Sequence, residues 1–267
     1  HSNRGNKMKK ILTVFLIILA FSLLASCTKK EEKIEYLGKM EFGMYPQTKV
    51  VDEATILELS KITKTSDRGF IEYNNEYYVK NTDYYKVEPI SWEVVKIGSS
   101  KYLYADKIVD SKVFISDVYF SVDAYSYLNK PGVPTETPAN TYQYSDLREW
   151  LNSTFLNTAF SDTEQNQMIK YEYDNFSDFV YTLSSEDFDL AIQKELMPTD
   201  YASILCEIHN SKDTRVDRNG YAMYWLRNAN KTVPYKVYGM NYDGIIYEFV
   251  DCYYNHIGVR PVIKIKA

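Results

Sequence analysis

Tyr224-Trp225-Leu226-Arg227 and, further on, Gly258-Val259-Arg260-Pro261-Val262-Ile263-Lys264-Ile265-Lys266 decide how this chain is read. Both runs are short, rich in aromatic or β-branched residues and bounded by turn-forming residues, so each reads as a strand. Asp243-Gly244 between them marks a tight turn. A tryptophan on a strand buries a large ring, so Trp225, together with Trp92 and Trp150, reads as a core anchor. Arg227 and Arg260 belong to the same runs. If buried, their guanidinium groups need carboxylate partners such as Glu93 or Asp106.

Upstream, Phe70 to Val79 alternates around Asn74-Asn75, a dipeptide that tolerates positive φ and predicts a hairpin. Val87 to Ile97 and Lys101 to Ala105, separated by Gly98-Ser99-Ser100, predict another. Asp52 to Ile62 predicts a first helix. Ser145 to Asn157 predicts a second, with Leu147, Trp150, Leu151, Thr154 and Phe155 on one face, and Ser161 with Glu164 forms a capping box for a third. Phe179 to Leu183 reads as a strand and Tyr201 to His209 as a helix. Tyr119 to Tyr144, with Pro131, Gly132, Pro134 and Pro138, reads as an irregular surface loop. Strands at both ends with helices between them predict an α+β fold.

Residues 1–26 read as a leader and export signal. Met8-Lys9-Lys10 is basic, Ile11 to Leu23 is apolar apart from Thr13 and Ser22, and Leu24-Ala25-Ser26-Cys27 is a small-residue cleavage box ending in cysteine. The apolar run falls short of the roughly 20 residues that span a bilayer. This box resembles those of bacterial lipoproteins, which implies lipidation on Cys27, a tether over residues 27–35 and a single domain over residues 36–267. The expected location is the cell envelope, outside the cytoplasm, anchored to a bacterial membrane by the N-terminal lipid.

Cleavage before Cys27 removes Arg4, Lys7, Lys9 and Lys10 and no acid, so the formal charge falls from -5 to -9. An acidic domain argues against nucleic acid as a partner. With Cys27 committed to lipid, Cys206 and Cys252 remain, and in an oxidising compartment they are expected to bridge. Tyrosine is abundant, with 26 residues. It suits half-exposed strands and also binding surfaces, where a ring stacks and a hydroxyl bonds.

Five stretches, in order, resemble an uncharacterised bacterial domain of unknown function found on exported and lipid-anchored proteins. They are Phe42-Gly43-Met44-Tyr45-Pro46-Gln47, Pro89 to Val94, Leu147-Arg148-Glu149-Trp150-Leu151-Asn152, Tyr224 to Arg227, and Gly258 to Pro261. The two closing motifs also resemble the last strands of the C-type-lectin-like fold seen in formylglycine-generating enzymes. That resemblance implies that the closing strands share one sheet. It also implies that ligands meet the loops between them, which here carry Asn228, Asn230, Tyr242, Asp243, Tyr253, Tyr254 and Asn255.

The sequence holds no Cys-x-x-Cys, His-Glu-x-x-His, Gly-x-Ser-x-Gly or phosphate-cradling glycine loop, and calls for no metal or cofactor. The expected function is therefore a non-catalytic binding module for a glycan or protein ligand. Two alternatives stand beside it: a thiol enzyme pairing Cys206 or Cys252 with His209 or His256, and a structural envelope component with no soluble ligand. Cys27→Ala is expected to abolish partitioning into a detergent phase while leaving the domain folded; a variant that still enters that phase contradicts the lipoprotein reading.

Overall fold

A computed structural model describes residues 33–116, 118–120, 126–128, 130–173, 176–187, 190–191, 193–207 and 220–266; for 118–120, 126 and 205–207 it describes the backbone alone. The leader, Cys27 and the tether through residue 32 lie outside the described residues, as do His209 and the Cys206 side chain. Residues 34–267 form a compact unit of their own.

The unit opens with a long strand, β1 (Ile34–Lys49), followed by α1 (Glu53–Ser60), β2 (Ile71–Tyr73), β3 (Glu76–Lys80), β4 (Tyr84–Ile97) and β5 (Ser100–Ala105). Short pieces come next: β6 (Asp110–Ser111), β7 (Val118–Phe120), β8 (Ser126–Leu128), α2 (Asp146–Trp150), a π-helical turn (Leu151–Phe155), α3 (Leu156–Ala159) and α4 (Asp162–Gln165). After them run β9 (Met168–Ile169), β10 (Tyr171–Tyr173), β11 (Phe176–Asp178), β12 (Val180–Tyr181) and α5 (Asp200–Glu207). The chain closes with β13 (Tyr224–Ala229), β14 (Lys236–Met240), β15 (Ile246–Asp251), β16 (Gly258–Val259) and β17 (Val262–Lys266).

Two main sheets result. The larger has the order β12-β17-β5-β4-β3-β2, with β1 also pairing β4 and β9 also pairing β17; the smaller runs β15-β14-β13-β16-β6. The hairpins follow local chemistry. Asn74 and Asn75 take φ 52 and 62 between β2 and β3. At those angles a two-residue turn matches strand twist. Asp52 caps α1 by accepting from Thr55 N at 2.7 Å. The Ser161–Glu164 capping box forms in both directions.

The α+β expectation is overturned, because the fold is 43% strand and 17% helix, with several antiparallel sheets and few helices. The reason is length. Strands of two or three residues in the middle of the chain, β6 to β12, are too short to display a period of two, so apart from the strand read over Phe179 to Leu183 that region reads as loop and helix. The stretch read as a surface loop, Tyr119 to Tyr144, contributes to the β7–β8 ribbon and ends in a 3-10 turn, Tyr142–Tyr144. Leu128, Ala139, Asn140 and Tyr142 within it are buried.

The lectin-like expectation fails on the same topology. Gly258-Val259 does lie beside β13, through a parallel pairing of Tyr224 with Gly258. At Arg260-Pro261, however, the chain leaves that sheet, and Val262–Lys266 pairs with β5 in the other. The closing strands therefore belong to two sheets.

Alternation explains the core. On β4, Trp92 and Val94 face a cluster shared with Trp225, Val259 and Ile263, covered by the helical run Leu147, Leu151, Phe155 and Phe160. Val95 and its neighbours Tyr104, Tyr224 and Val262 face a second cluster with Leu196 and Ala202. Trp92 and Trp225 are fully buried and donate their indole N–H to Phe42 O at 2.7 Å and Lys112 O at 2.8 Å. Trp150 is only half-buried, under the Lys112 ammonium. Gly43, at φ +70, has no room for a Cβ, which would lie 2.6 Å from the Phe160 ring and 2.8 Å from Ala159 O. The Phe-Gly-Met-Tyr-Pro-Gln motif thus reads as the place where β1 meets the helical run.

Arg260 sits where the chain crosses between sheets and is completely buried. It donates to Glu93 Oε2 at 3.0 Å, Ala105 O at 2.9 Å and Gln193 O at 2.7 Å. Glu93 is also buried and accepts from Gln193 N at 3.3 Å. One guanidinium therefore ties β4, β5 and the 193 segment together at the crossover. Removing one member of such a pair leaves an uncompensated buried charge, at a cost of about 3–5 kcal/mol. Glu93→Ala is expected to lower the urea midpoint accordingly, and Glu93→Leu with Arg260→Met to recover part of the loss; an unchanged midpoint for Glu93→Ala contradicts this role.

Candidate binding surface

The strands β13, β14 and β15 form one end of the smaller sheet, with β15 at its edge. Asp243-Gly244 turns the chain between β14 and β15. Gly244 takes φ +73, and Asp243 Oδ1 accepts from Ile245 N at 3.1 Å. The pairing of β14 with β15 skips register between Val237 and Gly239, a bulge that turns the β15 side chains. The outcome is an unusual edge: Tyr247 is 46% exposed, Phe249 48% and Ile245 64%. The two rings stand 6.2 Å apart, edge to face. Tyr242 lies at one end of β15 and Tyr253 at the other, and both are exposed.

The residues expected from sequence to bind ligand divide on this surface. Tyr242 and Asp243 occupy the turn before β15, and Tyr253, Tyr254 and Asn255 follow it, so β15 itself separates the two groups. Tyr253 and Tyr254 touch edge to face at 5.5 Å, and Tyr254 stacks on His256 at 5.2 Å. Burial and the nearby Asp251 carboxylate push the Tyr253 hydroxyl up to about 12, so it stays a neutral donor at ordinary pH. Sequence reasoning missed Ile245, just before the strand, and Tyr247 and Phe249 on it. Their alternation was visible, but alternation alone does not say which face of an edge strand is covered.

Asn230 and Asn228 are structural. Asn230 is buried, donates to Glu248 O at 2.9 Å and accepts from Thr232 N and Val233 N, each at 2.9 Å. With its side-chain oxygen taken up by Thr232 and Val233 and the residue itself buried, it serves the bend and not the surface. Asn140, from the stretch read as a surface loop, supports the same bend by donating to Asn230 O, Val233 O and Lys236 O at 2.8–3.1 Å. Asn228 donates to Glu186 Oε2 at 3.0 Å and accepts from Ser185 N at 2.6 Å.

Arg227 points away from this surface. It donates to Asp187 Oδ2 at 2.5 Å and Thr182 O at 2.7 Å, and lies 5.1–5.7 Å from the ring centres of Tyr171, Tyr173 and Tyr181. A box of tyrosines that elsewhere takes a ligand cation is filled here by the protein's own. Several of the chain's tyrosines are thereby committed to structure.

Cys252 is a free thiol, fully buried among the core residues. Its side chain points into the core, and the side chain of Cys206, its expected partner, lies outside the described residues. Burial, reinforced by the Asp251 carboxylate, pushes the thiol up to about 12, away from the thiolate that nucleophilic catalysis requires. Among the described residues no group of His, Cys, Asp and Glu side chains could hold a metal ion.

The chain belongs to a family defined by a domain of unknown function, DUF6273, whose family model matches residues 110–267. No curated protein and no solved structure matches the chain. The matched stretch begins at β6 and so holds the whole smaller sheet, the helical run and β17. It is completed by upstream strands, since β17 pairs with β5.

The side-chain amide of Asn228 is the main cause holding the Glu186 carboxyl down at about 2, against a usual value of 4.5. A depressed carboxyl contributes stability above its unfolded pKa and loses it as pH falls through the folded one, here between about 4.5 and about 2. In a carbon-detected NMR titration Glu186 is expected to titrate near the lower value, and Asn228→Ala to move it toward 4.5. A wild-type midpoint at the ordinary value contradicts the structural role of Asn228.

Proposed function

We propose that the protein is a lipid-anchored, extracytoplasmic binding module that takes an extended polypeptide segment along β15. The observation that carries this reading is the edge itself. Natural edge strands are blunted by lysine, proline or a covering element, because their free N–H and C=O groups pair with any extended chain. Here the edge strand carries Tyr247 and Phe249 about half in water, with Glu248 between them in sequence, and Ile245 just before the strand is 64% exposed. Among the described residues β14 is its sole strand neighbour. An added strand would gain main-chain hydrogen bonds, and aromatic side chains at alternate positions would select its residues. Contiguous exposed apolar surface of this kind marks interaction sites.

The lipid anchor and envelope location rest on the leader and on Cys27. The tether would hold the domain near a membrane surface, where a partner chain is also confined. A fully buried thiol supports the non-catalytic reading over the thiol enzyme as far as Cys252 is concerned.

Peptides selected from a random library on the detergent-solubilised full chain are expected to carry apolar residues at alternate positions. Tyr247→Ser with Phe249→Ser should weaken them tenfold or more, about 1.4 kcal/mol, while the melting temperature moves by no more than a few degrees. Peptides that bind the double variant as tightly as the wild type contradict the β15 site.

A further inference from the structure

A cleft of about 560 Å³ opens between the segment after β8, the helical run and β11. Lys130, Pro131 and Val133 form one wall, Gln143 and Tyr144 another, and Arg148, Glu149, Asn152 and Ser153 a third. The last four form two pairs, Arg148 with Asn152 and Glu149 with Ser153, each spaced by four along one helical face. The π-helical turn Leu151–Phe155 runs through this wall. Such turns are rare and are frequent at functional sites.

The floor is held rigidly. Asp178 accepts from Arg148 Nε and Nη2 at 2.8 Å and also from the Tyr173 hydroxyl. Arg148 lies 4.5 Å above the Phe176 ring. Asn152 uses all its capacity, donating to Val180 O at 2.8 Å and Arg148 O at 3.1 Å and accepting from Phe179 N at 3.0 Å and Val180 N at 3.2 Å. Lys130 is paired with Asp146 and, at 3.4 Å, with Glu149. A frame whose members are each tied to a partner keeps its shape before a ligand arrives.

Against that frame, several polar groups remain unused. The Gln143 side-chain amide and the Tyr144 hydroxyl bond to no described residue, and two of the five Arg148 N–H groups are spare. Glu149 is 74% exposed. The lining cations Lys130 and Arg148 face the lining carboxylates Glu149 and Asp178, so the walls carry no net charge. Planar amide, guanidinium and carboxylate groups suit pairs of neighbouring hydroxyls, and Pro131, Val133 and Tyr144 supply an apolar patch for the C–H face of a ring. The volume lies in the range of small-ligand sites.

We propose that this cleft is a second binding site, for a neutral saccharide of one or two rings. It is independent of the β15 edge and does not require that reading. Saturation-transfer NMR on the detergent-solubilised full chain with glucose, galactose, mannose, N-acetylglucosamine and their disaccharides tests it. At least one sugar should bind with a Kd in the millimolar range or below. Gln143→Ala should weaken it tenfold or more and Glu149→Ala severalfold, at unchanged melting temperature, while Tyr247→Ser with Phe249→Ser has no effect. Absence of any binding at roughly 50 mM, far above a 1 mM Kd, overturns the site. So does binding that ignores both cleft substitutions, or glucuronate binding more tightly than glucose.

Discussion

Arg260 cannot be buried without a carboxylate, and that constraint organises the molecule. Its guanidinium meets Glu93 on β4, Ala105 O on β5 and Gln193 O at the point where the last strand leaves one sheet for the other. Desolvating a guanidinium costs several kcal/mol unless its hydrogen bonds are made. The crossover is thus favoured only when both sheets are already in place, which couples β16 in one sheet to β17 in the other. Pro261 fits this position, since the chain there donates to neither ladder.

With the two sheets locked at Arg260, the rest of the smaller sheet projects from the junction: β13 lies beside β16, β14 beside β13, and β15 at the far edge. The bend at Asn230 to Val233 is fixed by Asn140 and Asn230 side chains, each bonded to backbone. On the proposed reading, a rigid scaffold presenting half-exposed aromatic residues on its edge strand would let those side chains hold a partner without costing the fold stability.

The closing motifs were legible as strands, and Trp225 as a core residue, because aromatic and β-branched runs between turn residues have few other uses. The Asn74-Asn75 and Asp243-Gly244 turns were legible from backbone preference alone. Sheet membership was not: one residue pair, Arg260-Pro261, moves the last strand between sheets, and no local pattern encodes that. For Arg227 and Arg260 together Glu93 and Asp106 were the expected carboxylates: Arg260 does take Glu93, but Asp106 pairs with Lys39, and Arg227 takes Asp187, which the sequence gives no reason to single out. Cys252 was read by counting thiols, and counting is silent on which way a side chain points. Of the expected surface residues, Asn230 looked available and is buried in the bend, while Tyr247 and Phe249 looked like ordinary strand residues and are exposed.

The account turns on β15 being an open edge. Amide hydrogen exchange followed residue by residue on the purified protein tests this most directly. If the edge is open, the β15 amides that do not donate to β14 exchange at nearly unprotected rates, and a bound peptide slows them along Ile246–Asp251. Uniform slow exchange along β15 in the free protein would mean that the edge is already covered, and would contradict the account.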